Sequence, residues 1–135
     1  MVIAVGVWKS PPEGIMMEIH VENLGELVVI ECKGRIVRDE SVFELRDVVL
    51  AQTGARIIVL DLSRVEAIGG AGLGMLAFLN RRARERNVQF KLLDPSRAVV
   101  AELVHTRSIL DFEIASFHQM MKILRAADKE CAVAA

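Results

Sequence analysis

Between Arg56 and Ile68 apolar residues dominate: Ile57-Ile58-Val59-Leu60 in one run, then Leu62, Val65, Ala67 and Ile68 interrupted by Asp61, Ser63, Arg64 and Glu66. Such a run of aliphatic residues predicts a strand covered on both faces. The pattern then changes. Gly69-Gly70-Ala71-Gly72-Leu73-Gly74 sets four glycines in six positions, a tight passage of backbone. Met75-Leu76-Ala77-Phe78-Leu79 opens into helical spacing that runs to about Arg86. Buried strand, glycine turn and helix make the start of a βαβ unit, and such turns commonly carry functional sites.

The flanking segments extend this pattern. Met17 to Glu22 alternates with period two, as a half-exposed strand does, and Asn23-Leu24-Gly25 predicts a turn into a more buried strand over Glu26 to Lys33. Ser41-Val42-Phe43-Glu44 fits a capping box at the start of a helix that ends near Gly54. Beyond Asn87, a natural helix stop, Val88 to Leu93 predicts a strand. Asp94 as cap and Pro95 in the first turn predict a third helix with Val99, Val100, Leu103 and Val104 on its apolar stripe. Phe112-Glu113-Ile114 reads as a short last strand, and Ser116 as the cap of a helix carrying Met120, Met121, Ile123 and Leu124. The order β-β-α-β-α-β-α-β-α predicts a single α/β domain, a mixed central sheet with helices packed on it. Residues 16–127 form that domain. Residues 1–15, with Pro11, Pro12 and Gly14, read as an amino-terminal arm and linker, and residues 128–135 as a flexible tail.

Composition narrows the function. Hydrophobic residues make up 53% and aromatics 4%, so a core of Val, Leu, Ile, Ala and Met is expected. A net charge of −1 supplies no general field for nucleic acid or anionic lipid. Cys32 and Cys131 lie far apart with no metal-type spacing and no disulfide framework, which points to a reducing compartment. The apolar start, Met1 to Trp8, is short and has no basic residue ahead of it, a poor secretory signal. No run approaches the ~20 residues of a membrane span. The expectation is a cytoplasmic protein.

Several candidate sites fail on context. Gly72-Leu73-Gly74-Met75-Leu76-Ala77 satisfies G-x-G-x-x-A, with Asp94 20 positions after Gly74, an imitation of a dinucleotide fingerprint. The true motif sits at the strand–helix junction, whereas Arg64 to Ala71 intervene here and the matching glycines fall inside the helix. No Lys-Ser/Thr follows the glycines, which excludes a P-loop. Arg81, Arg82, Arg84 and Arg86 form the one dense basic cluster; cations at a helix carboxyl end are favourable in themselves, and no interleaved aromatics argue for nucleic acid. His20, His105 and His118 are scattered, so no metal or cofactor is expected. Asp61 reads most simply as an acceptor of backbone N–H at its strand's end, and no catalytic grouping stands out. On the helix after the glycines, a core stripe of Leu73, Leu76, Ala77, Asn80 and Ala83 would leave Met75, Phe78 and Arg82 on the opposite side, as partner-facing residues. A wider stripe, buried by a neighbouring helix, would instead cover them.

The full-length pattern resembles the STAS domain, the family of anti-sigma factor antagonists and related modules, over about residues 17–126. Its carriers are Gly34, Ile57-Ile58-Val59-Leu60-Asp61-Leu62-Ser63, Gly72-Leu73-Gly74 and Arg81-Arg82-Ala83. The resemblance implies a small protein-binding α/β domain. In phosphorylated antagonists the turn into the second helix reads Asp-Ser-Ser-Gly, and an anti-sigma kinase phosphorylates the first serine, breaking the complex by adding about −1.5 to −2 charges to the binding face. Here Gly69 stands at the acidic position, Gly70 at the phosphoacceptor and Ala71 at the following serine, and Gly34-Arg35-Ile36-Val37 lacks the family's aspartate.

The resemblance therefore implies a non-enzymatic binding module without the usual phosphorylation switch. Its expected partner is an anti-sigma factor or another kinase-like regulatory protein, met through Gly69, Gly70, Ala71, Gly72, Met75, Phe78 and Arg82. The alternative is a structural STAS subunit of a signalling or lipid-transport ATPase complex. A homodimer stays open, and so does a role for the arm in forming one.

Overall fold

A computed structural model describes the backbone of residues 4–9 and 17–134 and the side chains of residues 17–126. In chain order the elements are β1 (Ala4–Lys9), β2 (Met17–Leu24), β3 (Leu27–Ile36), α1 (Asp39–Leu50), β4 (Ile57–Ile68), α2 (Gly70–Glu85), β5 (Gln89–Leu93), α3 (Arg97–His105), a 3₁₀ turn (Ile109–Asp111), β6 (Glu113–Ala115) and α4 (Phe117–Ala134). The six strands lie side by side in sequence order. The β1–β2 and β2–β3 pairs are antiparallel; β3–β4, β4–β5 and β5–β6 are parallel. This is the mixed sheet expected from the sequence.

The topology decides where the helices go. Each parallel pair needs a crossover, crossovers are right-handed, and here each advances one strand in the same direction. All three crossover helices therefore share one face. The main core forms there, with Ile30, Leu60 and Leu92 of the sheet meeting Leu45 of α1, Leu76 of α2 and Leu103 of α3. The alternate strand residues point the other way. Leu27, Val29, Val59, Leu93 and Ala115 are sealed by Met120 of α4, with Ile123 and Leu124 beside it. Beyond the reach of α4 that face turns polar: Glu18, His20, Glu22, Glu31 and Lys33 are half-buried or exposed, while Met17, Ile19 and Val21 alternate with them into the core.

Local signals place most boundaries. Gly25 turns the β2–β3 hairpin with φ +80° while its N–H donates to Asn23 Oδ1 at 3.1 Å. Asn87 ends α2 with φ +57°, where Val88 N–H donates to Ala83 O at 2.8 Å and Asn87 N–H to Arg84 O at 3.3 Å, the bonds of a Schellman motif. Ser116 and Gln119 cap α4 reciprocally: Gln119 N–H donates to Ser116 Oγ at 3.2 Å, and Ser116 N–H to Gln119 Oε1 at 2.9 Å.

Two expected helix caps need correction, and the two terminal segments gain secondary structure. Within the segment read as an arm, Ala4 to Lys9 form an edge strand paired with β2 from Ala4↔Asn23 to Lys9↔Glu18, which satisfies backbone groups that β2 would otherwise expose; residues 10–15 of the expected linker lie outside the described residues. Helix α1 starts at Asp39 rather than at a Ser41 cap. Its acidic first turn, Asp39 and Glu40, complements the helix dipole, and the buried Ser41 hydroxyl donates to Arg38 O at 2.8 Å. The cap of α3 is Ser96, not Asp94: its Oγ accepts from Val99 N–H at 3.4 Å and donates to Val65 O at 2.6 Å. Asp94 has φ +44° and turns the chain instead. Helix α4 continues to Ala134; the segment is rich in alanine and free of Gly and Pro, and alanine has the highest helix propensity.

The packing can be tested at two points. A Cβ at Gly72 would meet Ile68 Cγ1 at 2.8 Å and the Ile36 carbonyl oxygen at 2.9 Å, whereas at Gly74 it would meet nothing within 4 Å. Gly72→Ala should lower unfolding stability by about 1–3 kcal/mol, and Gly74→Ala should raise it by roughly 0.5–1 kcal/mol, measured by urea denaturation. Cys32 is buried. Burial pushes its thiol far above the usual range, with Asp61 and Glu31 adding to the effect. In a Cys131→Ser background a thiol reagent should label it at the rate of unfolding; rapid labelling of the native protein would contradict that burial.

Candidate functional site

The corner between β4 and α2 is built by backbone rather than by side chains. Gly69 is the N-cap of α2, extended at φ −104° and ψ −178°, with no side chain to cap the helix. Its N–H donates to Ile36 O at 3.1 Å, and its carbonyl accepts from Leu73 N–H at 3.0 Å. Gly72 lies against Ile36 and Ile68, so the first turn of α2 rests on the carboxyl ends of β3 and β4. Gly69, Gly70 and Gly74 face open space, and none of these glycines has a left-handed φ. Only Gly72 is demanded by sterics. Gly70 and Ala71 are exposed, and no hydroxyl occurs between Ser63 and Asn80.

Beside the corner runs an apolar groove between α1 and α2, enclosing about 330 Å³ and lined by Val42, Phe43, Ala71, Met75 and Phe78, with Asp39 and Arg46 at its edge. Phe43 is 50% exposed, Phe78 43% and Val37, just before α1, 38%. The Arg46 guanidinium lies 4.9 Å above the Phe43 ring and donates to Asp47 Oδ1 at 3.0 Å. A large aromatic left half in water twice over, on facing helices, is the kind of surface that partners cover.

The expected partner-facing residues divide. Gly69 and Gly70 shape the corner, Gly72 anchors it, and Ala71 and Phe78 reach the groove. Met75 is turned inward and only 6% exposed, against the expectation that it lies opposite the core. The packing of α1 along α2 widens the buried stripe to Leu73, Met75, Leu76 and Leu79, and rolls Ala77 outward. Met75 thus forms the floor of the groove. Arg82 is half-buried at the far end of α2, in a different cleft with Arg86, about 18 Å from Gly70 at 1.5 Å per residue. The sequence reading missed Phe43 and Val37. Phe43 carried a signal, a large aromatic among the charged positions of α1.

The remaining candidates stay apart. His20 lies 3.6 Å from Glu31, and among the described residues no His, Cys, Asp and Glu cluster suits a metal. Asp61 accepts from Ser63 N–H at 2.9 Å and Ser63 Oγ at 2.7 Å, a local bond of the expected kind but within β4 rather than at its end. It borders a polar hollow of about 550 Å³ on the face that α4 leaves open, with Glu18, His20, Glu31, Lys33 and Arg64. Gly74 lies inside α2, one turn beyond its start, and Asp94 caps nothing, so the dinucleotide pattern has no phosphate cradle. No helix among the described residues is long and apolar enough to cross a membrane.

Comparison with known proteins agrees with this architecture. The family model described as "Mlab, STAS domain" matches residues 19–108. A search of curated proteins finds no match. Among solved structures, the chain is similar to the anti-sigma factor antagonist SpoIIAA in its unphosphorylated form, at 15% identity and a TM-score of 0.63, covering 90% of this chain and 97% of that one. It is similar to an anti-sigma factor antagonist from Mycobacterium paratuberculosis at 16% identity and 0.63, covering 90% and 95%. A variant of Moorella thermoacetica RsbS gives 18% identity and 0.65, covering 82% and 97%. At such identities the structural likeness establishes the fold, and the family model establishes the kinship. With its helices on the faces that the crossovers dictate and a glycine-built corner at the head of α2, the chain belongs to the STAS domain family.

Proposed function

We propose that this protein is a non-enzymatic binding module of the cytoplasm that holds a regulatory partner through the corner and the α1–α2 groove, without a phosphorylation switch. The observation that carries this reading is the exposed, apolar and hydroxyl-free surface made by Phe43, Ala71 and Phe78, with Val37 also exposed just before α1. A partner covering it removes water from two aromatic rings, and Phe burial is worth about 1.5–3 kcal/mol when complete. The partner class follows from the similarity to anti-sigma factor antagonists: an anti-sigma factor or another kinase-like regulator. Gly70 stands where that resemblance places the phosphoacceptor, so nothing in the turn accepts a phosphate and the contact is not broken by added charge. A second reading, a structural STAS subunit of a signalling or lipid-transport ATPase complex, is favoured by the matching family model, described as Mlab rather than as an antagonist. Both readings use the same surface.

Affinity capture from the source cell, comparing the native chain with Phe78→Lys, tests them together. The native chain should recover one main partner, and Phe78→Lys should lose it by about 30-fold or more, the scale of an interface hot spot. Stability should fall by no more than about 1 kcal/mol, because the ring is half in water already. An anti-sigma or kinase-like protein supports the first reading and a transporter ATPase the second; capture unaffected by Phe78→Lys overturns both.

Labelled ATP and a cognate kinase should leave no phosphate within residues 68–74 of the native chain. The Gly69→Asp, Gly70→Ser double variant should fold normally, since both positions face open space, and an N-cap Asp in place of Gly should add a few tenths of a kcal/mol. With a kinase partner, that variant should take up label and release the partner.

A further inference from the structure

At the opposite end of α2, four arginines crowd the last turns: Arg81, Arg82, Arg84 and Arg86. Among the described residues none of them forms an ion pair. The carbonyls of Ala83 and Arg84 in the last turn are already met by Val88 N–H and Asn87 N–H rather than by these side chains. One or two cations would complement the helix dipole. Arg82 and Arg86 are instead placed four residues apart on one face, where like charges repel. That face borders a narrow, mostly apolar slot of about 60 Å³, walled by Val49, Ile58, Leu79 and Phe90 and lined also by Gln52, Thr53, Arg82 and Arg86. The slot opens where the amino ends of β4 and β5 meet the ends of α1 and α2.

Two unpaired guanidiniums beside one small apolar slot define a specific occupant. Arginine binds carboxylates through two parallel N–H bonds, and such pairs strengthen as a partner excludes water. The slot has room for one branched aliphatic side chain and is far too small for an acyl chain. It offers no exposed aromatic ring on which a base would stack. We propose that this cleft docks an acidic linear segment of a protein partner, anchored by one aliphatic side chain in the slot and by carboxylates on Arg82 and Arg86. It is independent of the corner, so the chain can bridge two partners along one helix.

The test is fluorescence anisotropy of the full chain with a short fluorescein-labelled peptide of Asp and Glu carrying one central leucine. Binding should saturate at low salt and weaken at least tenfold between about 50 and 300 mM salt, as charge pairing at a rim does. Arg82→Gln with Arg86→Gln should weaken it at least tenfold, and replacing the peptide's leucine with serine severalfold; Phe43→Ala, in the other groove, should leave it unchanged. Should the double variant unfold, Arg86→Gln alone, at an exposed position, should still weaken binding severalfold. Absence of saturable binding would overturn the proposal, as would equal binding of the serine peptide or of the glutamine variants. Binding of phosphatidylglycerol vesicles through these arginines without peptide binding would overturn it in favour of a membrane surface.

Discussion

The fit of Gly72 against the Ile36 carbonyl is the constraint on which the site depends. A hydrogen in place of a side chain lets the first turn of α2 settle on the ends of two strands, and the Gly69 N–H to Ile36 O bond closes the contact. The corner is therefore closely packed although it is made of glycines. Glycine here supplies close approach rather than a left-handed backbone. A surface held this firmly loses little conformational freedom when a partner covers it, and preorganisation of that kind is worth affinity.

The rest of the fold directs that surface outward. Three right-handed crossovers stack α1, α2 and α3 on one side of the sheet, and α4 closes the apolar half of the other. Side by side, α1 and α2 leave a groove whose floor is Met75 and whose walls are the two half-exposed phenylalanines. Helix α2 thus carries an apolar, uncharged surface at its amino end and a basic one at its carboxyl end. A chain of net charge −1 keeps these two characters local rather than part of a general field.

Much of this was legible from the residues. The two-faced strand over 57–68, the hairpin at Gly25, the stop at Asn87 and the Ser116 cap are local signals, and local signals set those boundaries. What the sequence hid was decided by neighbours distant in the chain. Met75 and Phe78 look alike on an isolated helix; the packing of α1 buries one and leaves the other half exposed. The Ser41 box was a plausible cap displaced by the acidic first turn ahead of it. Asp94 took a left-handed turn because Ser96, which also reaches Val65 O, capped α3. Phe43 belongs to the groove only because the crossover places α1 beside α2.

The proposed function rests on one central claim: that an apolar surface at the head of α2 holds a regulatory protein without being released by phosphorylation. Hydrogen exchange on the complex with the captured partner tests it most directly. Added amide protection is expected over residues 37–46 and 69–78, with the sheet face carrying Glu18, His20 and Glu31 unchanged. Protection confined to that polar face or to α4, with the corner exchanging as in the free chain, would contradict it.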